Sequence, residues 1–131
     1  MTGCLSGYAR GCGPAGARNY VAVVPTVGCV NEVARRIAAA VESARPMLHH
    51  QGCCQLPTDV KIVTDVLTGI CRNPNVAAVV LVSLGCESVT AETIVEAVRA
   101  AAQHGEKAVQ LGGGVHEHGE SARGRRKAVH G

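Results

Sequence analysis

Ala78-Val79-Val80-Leu81-Val82-Ser83-Leu84 is apolar on both faces apart from Ser83, and it runs straight into Gly85-Cys86-Glu87. A strand that buries both faces belongs in the middle of a parallel sheet. Three further apolar runs read as strands: Tyr20 to Val24, Met47 to His49 and Lys107 to Leu111. Each gives way to a turn of small residues. The turns are Thr26-Val27-Gly28-Cys29, His49-His50-Gln51-Gly52-Cys53-Cys54 and Gly112-Gly113-Gly114. In a parallel sheet all of these turns fall on the carboxyl edge, where open α/β sheets bind ligands. Reactive groups scattered along the chain would then be gathered in space.

Amphipathic helices between the runs support parallel strands. From Val30 to Val41, the residues Val30, Val33, Ala34, Ile37, Ala40 and Val41 share one helical stripe. A second helix opens at Pro57, with Asp59 in its first turn, and closes at Arg72-Asn73-Pro74. Its stripe is Val60, Val63, Leu67 and Ile70. A third spans Thr90 to Gln103 around Ile94, Val95, Val98, Ala101 and Ala102, and His104-Gly105 ends it. This alternation predicts right-handed βαβ units. The expected fold class is α/β, a three-layer βαβ, Rossmann-like domain with a mainly parallel sheet of about four strands.

A chain of 131 residues makes one domain. With no Phe or Trp, its core must be aliphatic, and small side chains bury less area each. An oligomer or a partner is therefore expected. The formal charge of +3 does not argue for nucleic acid, because Arg123, Arg125, Arg126 and Lys127 in the tail exceed it and no aromatic platform accompanies them. No apolar stretch is long enough to span a membrane. The first twenty residues lack a signal-peptide core. Seven cysteines at irregular spacing argue against a disulfide framework and for a reducing, cytoplasmic setting. Three regions are expected: a glycine-rich arm (1–18), a central α/β domain (19–114) and a basic glycine- and histidine-rich tail (115–131), read as poorly ordered.

The turns carry the chemistry. Cys29, His49, Cys53 and Cys86 offer thiolate and imidazole, which ligate zinc or ferrous iron. The competing reading makes Cys29 and Cys86 small buried residues at helix starts. Glu87 is the one carboxylate beside the cluster, a candidate acid/base group or ligand that could instead complement the third helix. Gly28, Gly52 and Gly85 let backbone N–H groups approach an anionic ligand, though such turns use glycine anyway. None of these glycines forms G-x-G-x-x-G after the first strand, so no nucleotide cofactor is expected. Cys4, Cys12 and Cys71 are read as structural or incidental.

Several blocks, in order, resemble one family. They are Gly7-Tyr8-x-Arg10 with Gly16-x-Arg18-Asn19-Tyr20, then Val24 to Cys29 with Asn31 and Arg36. His49-x-x-Gly52-Cys53-x-Gln55-Leu56, Arg72 to Val79 and Leu84-Gly85-Cys86-Glu87 follow. Over about residues 7 to 112 the chain resembles the altronate/galactarate dehydratase family, its altronate branch more than its sulfolactate lyase branch. That resemblance implies metal-dependent loss of water from a sugar acid, with a divalent metal, Fe2+ foremost or Mn2+, as cofactor. It implies His49, Glu87 and Cys53 as catalytic residues and Cys29, His49, Cys53 and Cys86 as metal ligands. Arg18, Asn19, Thr26, Gly28, Gly52, Gln55 and Gly85 would bind the sugar-acid substrate. Family members also carry a small amino-terminal domain and a large carboxyl-terminal domain, fused or as subunits. Here Gly11-Cys12-Gly13-Pro14 stands where an acidic residue is expected. The chain is thus expected to be one domain of a hydro-lyase, inactive without its missing domains or partner subunit. The alternatives are a non-catalytic binding or assembly module of that descent, and a stand-alone metal or thiol protein.

Overall fold

A computed structural model describes residues 6–10, 13–101 and 108–113, with residue 101 and the last segment described by backbone alone. The expected tail, Lys107 and His104-Gly105 lie outside the described residues. The elements are β1 (Tyr20–Pro25), a 3-10 turn (Gly28–Val30), α1 (Asn31–Ala39), β2 (Ala44–Pro46), α2 (Pro57–Arg72), β3 (Val76–Ser83), α3 (Ala91–Ala101) and β4 (Ala108–Gly113). The strands form one parallel sheet of four in the order β2-β1-β3-β4.

Alternation along the strands sorts side chains to two faces. Ala22 and Val24 of β1 and Val79 and Leu81 of β3 pack with Leu67 and Cys71 of α2 and Ile94, Val95 and Val98 of α3. Val23 and Val82 pack on the other face with Val27, Val30, Ala34 and Ala38, around α1. The result is three layers, with α1 on one side and α2 and α3 on the other. Such a split is what right-handed crossovers demand when the chain steps from β1 outward to β2 and then back past β1 to β3. Strand order therefore reverses between β1 and β3, and their carboxyl ends open a crevice.

Two details differ from the pattern in the sequence. The second strand is Ala44–Pro46, not Met47 to His49. It is a three-residue edge strand set by register: Val21 pairs Ala44, Val23 pairs Pro46, and the Met47 N–H to Val23 carbonyl bond (2.9 Å) ends the ladder. So short an edge has no period to detect, and Pro46 is tolerated there because an edge strand need not use every N–H. Met47 and Leu48 instead wall a groove against α2.

The first helix is also rotated. Ala34 and Ala38 are its buried residues, whereas Val33, Ile37 and Val41 are 46%, 37% and 49% exposed. Alanine lets the α1 backbone lie close to the sheet, and that closeness turns the larger side chains outward. The third helix begins at Ala91, and Thr90 caps it, its hydroxyl accepting the Thr93 N–H at 3.3 Å.

Candidate functional site

Three loops leave the carboxyl ends of the sheet near the crevice, and backbone bonds tie them together. The Gly28 N–H donates to the Gln51 carbonyl at 2.8 Å, and the Ser88 N–H donates to the Gly52 carbonyl at 2.9 Å. The 26–29 loop thus grips the 49–54 loop, which grips the 84–88 loop. The contacts exclude a side chain at Gly52 and crowd one at Gly28. A Cβ on Gly52 would sit 2.6 Å from Val27 Cα, and Gly52 also has φ of +124°. A Cβ on Gly28 would sit 3.1 Å from the His49 carbonyl oxygen.

The glycine before each crevice thiol has a consequence. Gly28-Cys29, Gly52-Cys53 and Gly85-Cys86 put one cysteine on each of the three tied loops, and all three cysteines are exposed. The Cys53 thiol is pushed above its ordinary value, first by crowding from the surrounding loops and then by the neighbouring Cys86 and Cys29 thiols. Cys53 is largely exposed as a residue. The crowding is therefore local to the sulfur and not burial in the core. A raised thiol is mostly protonated at neutral pH and a poor nucleophile. Cys54 is exposed with φ of +53°, and Cys71, in the last turn of α2, is buried in the core.

Glu87 clamps the loops as an anion. Its Oε2 accepts the Gly85 N–H at 2.6 Å and the Leu84 N–H at 3.3 Å. Its Oε1 lies 3.0 Å from the hydroxyl of Thr26, which is fully buried and also 3.2 Å from the Val82 carbonyl. Burial would raise the Glu87 carboxyl, but its own and the Gly85 backbone N–H, the Thr26 hydroxyl and the Leu84 N–H outweigh that and hold it below its ordinary value. A carboxylate held low is weakly basic at neutral pH.

His49 is half-buried and engaged on both ring nitrogens. Nε2 lies 2.7 Å from the Pro25 carbonyl, which fixes it as the donor, and Nδ1 accepts the Gln51 N–H at 3.2 Å. Its carbonyl accepts from Asn31 Nδ2 at 2.7 Å. His49 therefore braces the 49–54 loop against β1 and α1, with no ring nitrogen turned to a ligand. His50 is exposed, 3.1 Å from Gln51 Nε2.

Gln55 follows the 49–54 loop. Both its amide nitrogen and its amide oxygen are buried without a hydrogen-bond partner. It lines a groove of about 550 Å³ walled by Met47, Leu48, Ile62, Val66 and Ile70. Most of the lining is apolar, and His49, Gln51 and Asp59 join Gln55 as its polar members.

Arg18 and Asn19 are not brought to this edge. They precede β1 and lie at the amino end of the sheet, about 20 Å away at roughly 3.3 Å per strand residue. There Arg10 donates to the Pro74 carbonyl (2.7 Å), to Asn19 Oδ1 (2.9 Å) and to the Arg18 carbonyl (3.1 Å), and the Arg18 N–H donates to Asn75 Oδ1 (3.0 Å). Tyr8 and Gly16 exchange backbone bonds, and a Cβ on Gly16 would fall 2.1 Å from the Pro74 carbonyl oxygen. The blocks at 7–20 and 72–75 therefore lock the amino edge, while those at 26–29, 49–55 and 84–87 build the carboxyl one. Spacing in sequence could not separate the two sets.

Among the described residues no group of three or more His, Cys, Asp or Glu side chains stands where it could hold a metal ion. No helix among them is long and apolar enough to cross a membrane.

Residues 7–128 match the family model described as "D-galactarate dehydratase/Altronate hydrolase, second domain". The chain is 34% identical over 94 residues to altronate dehydratase of Bacillus subtilis, an alignment covering 64% of this chain and 19% of that protein. It is 36% identical over 91 residues to altronate dehydratase of Escherichia coli, covering 62% and 18%. It is 33% identical over 94 residues to the (2R)-sulfolactate sulfo-lyase subunit beta of Chromohalobacter salexigens, covering 72% and 24%. The identities barely separate the altronate branch from the sulfolactate one, and the chain spans about a fifth of the length of these relatives. No solved structure matches it. A family match over residues 7–128, nearly the whole chain, shows that this chain belongs to the D-galactarate dehydratase/altronate hydrolase family, as its second domain.

Proposed function

We propose that the chain is the thiol-bearing domain of an iron-dependent hydro-lyase that removes water from a sugar acid such as altronate or galactarate, and that it acts with domains or subunits supplying the remaining length. One observation carries the reading: cysteines from three loops far apart in sequence are held together at the switch-point crevice.

Donor chemistry supports iron over manganese. Thiolates suit iron and zinc, whereas Mn2+ prefers oxygen ligands. Cys29, Cys53 and Cys86 would be thiols beside such an iron, with further donors needed from the missing domains, because no three side chains among the described residues are placed to hold a metal ion. His49 would serve beside them as a brace, because both of its ring nitrogens are occupied within the protein. When bound, such a centre would draw electrons from the substrate's carboxylate and hydroxyl oxygens.

The chain's own groups fill supporting roles. Glu87 and Thr26 hold the 84–88 loop against β1, which fixes where Cys86 stands. Glycine at 28, 52 and 85 keeps the crevice open at backbone level, where an acid substrate could lie. Dehydration also needs a base to take the proton α to the carboxylate and an acid to meet the departing β-hydroxyl. Both Glu87 oxygens are occupied by Thr26, Gly85 and Leu84, so the missing domains would supply at least the base.

The test is a chimera in which this chain replaces the matching segment of a full-length altronate dehydratase. Formation of the 2-keto-3-deoxy acid from altronate or galactarate is measured with iron present. Turnover that falls to background in Cys53→Ser supports the reading. A folded chimera without turnover on either acid would favour a non-catalytic module.

A further inference from the structure

We propose that the groove between α2 and Met47-Leu48 docks an extended peptide segment from the remaining length of the enzyme. Apolar side chains of that segment lie against the walls, and one of its residues pairs its main-chain N–H and C=O with the Gln55 amide. This rests on the multi-domain reading above and goes beyond it in naming where the rest of the polypeptide seats and by what chemistry.

Gln55 points to such a ligand. Its amide nitrogen and amide oxygen are both buried without a partner, and the residue lines the groove. A buried amide left unpaired is destabilising, so its partner comes from outside the chain. The amide carries donor hydrogens on nitrogen and an acceptor oxygen. What it meets must offer an acceptor and a donor side by side. An extended residue does so, because its N–H and C=O point the same way, as in the paired residues of a ladder. A carboxylate would satisfy the amide nitrogen alone, and a hydrocarbon neither atom.

The walls and the family supply the rest. Ile62 and Val66, one turn apart on α2, are 61% and 55% exposed, and they face a concavity of about 550 Å³ with Met47, Leu48 and Ile70. Large apolar side chains gathered and exposed in this way mark an interaction surface. A second copy of the chain does not suit it. A two-fold contact sets the same patch against itself, and two facing concavities leave a void. Nor does the exposed α1 stripe of another copy suit it, because a helix interior has already spent its N–H and C=O groups on its own turns. The chain spans about a fifth of the relatives it matches, so most of the proposed enzyme's polypeptide is available to supply an extended segment.

The groove adjoins the carboxyl-edge crevice. His49 and Gln51 line it, and both belong to the 49–54 loop, whose Gln51 and Gly52 carbonyls accept the Gly28 and Ser88 N–H groups. A segment seated there touches the loop that ties the other two together. It brings the rest of the polypeptide to the edge where a base is still lacking. Asp59 adds a carboxylate to the lining, which a basic residue of the segment would meet.

Two measurements test the docking. In the chain alone, Gln55→Leu should hold or raise the melting temperature, because it removes an orphaned amide and keeps an apolar shape. A lower melting temperature would give that amide a partner within the chain and overturn the proposal. The second measurement places Ile62→Cys or Val66→Cys in the chain and in the altronate dehydratase chimera described above, and follows labelling at that site with N-ethylmaleimide by peptide mass mapping. Each should react at least about tenfold more slowly in the chimera than in the chain alone. Adding Gln55→Leu to the chimera should return much of the lost rate. Equal rates in chain and chimera would overturn the docking, and so would slow labelling in the chain alone at twice the chain mass, which would give the groove to a second copy. An active chimera whose groove labels freely would overturn the docking and leave the hydro-lyase reading standing. A protected groove in a chimera without turnover would support the docking and favour a non-catalytic module.

Discussion

Replacing Glu87 separates charge from connectivity in the loop clamp. Glu87→Ala removes an acceptor that serves the Gly85 and Leu84 N–H groups and the Thr26 hydroxyl. Each such bond is worth roughly 1 kcal/mol net, and at this half-buried position the total is about 2–3 kcal/mol. Glu87→Gln can keep all of them. Its carbonyl can face Gly85 and Leu84 while its amide donates to Thr26, whose own proton then goes to the Val82 carbonyl 3.2 Å away. Only the charge is lost, at a cost of about 1 kcal/mol. The folded carboxyl lies below its ordinary value of 4.5, so the charge stabilises fully above that pH and stops doing so as pH falls through the lowered folded value. Denaturant unfolding of the parent and both variants, under reducing conditions from neutral to strongly acidic pH, measures these differences. The parent should lead Glu87→Gln at neutral pH, and the gap should close only on strong acidification. A gap that does not change with pH, or a Glu87→Ala cost under about 0.5 kcal/mol, would refute the clamp.

Gly52→Ala should destabilise the chain by about 1–3 kcal/mol and separate the 26–29 and 49–54 loops, because its Cβ would meet Val27 Cα at 2.6 Å and its φ is +124°. The melting temperature and the alkylation rate of Cys53 would register both effects, and an unchanged rate would count against the interlock. Leu81→Ala, at a fully buried position of β3, should cost about 2–5 kcal/mol in equilibrium unfolding. Ile37→Asp changes an exposed member of the Val33, Ile37, Val41 stripe, so it should leave stability within roughly 0.5 kcal/mol; a larger loss would place that stripe in the core. The chain by itself, loaded with iron, should not dehydrate altronate or galactarate, and measurable turnover would show that the missing length is dispensable.

Much of the fold was legible because its signals are local. A strand apolar on both faces, Ala78 to Leu84, has to be central, and β3 (Val76–Ser83) pairs on both sides. Pro57 and Arg72 bound α2 as a proline start and a cationic end predict. The carboxyl-edge placement of Cys29, Cys53 and Cys86 followed from topology alone, since each follows a parallel strand. The short edge strand Ala44–Pro46 escaped notice because only its pairing with β1 defines it. Periodicity also could not tell which side of α1 faces the sheet. Apolar residues occupy a wide arc there, and backbone closeness, set by Ala34 and Ala38, chose the small-residue side. His49 looked like a ligand in sequence, but a ring's role depends on what its nitrogens meet, and here they meet Pro25 and Gln51. Arg18 and Asn19 looked like substrate residues, yet chain direction through β1 puts them at the opposite edge, tied to Arg10 and Asn75. Residue types and their periods thus determined the layers and the edge that carries the thiols. Which of those groups are free for chemistry was decided only in three dimensions, because a hydrogen bond between residues distant in the chain leaves no trace in their spacing.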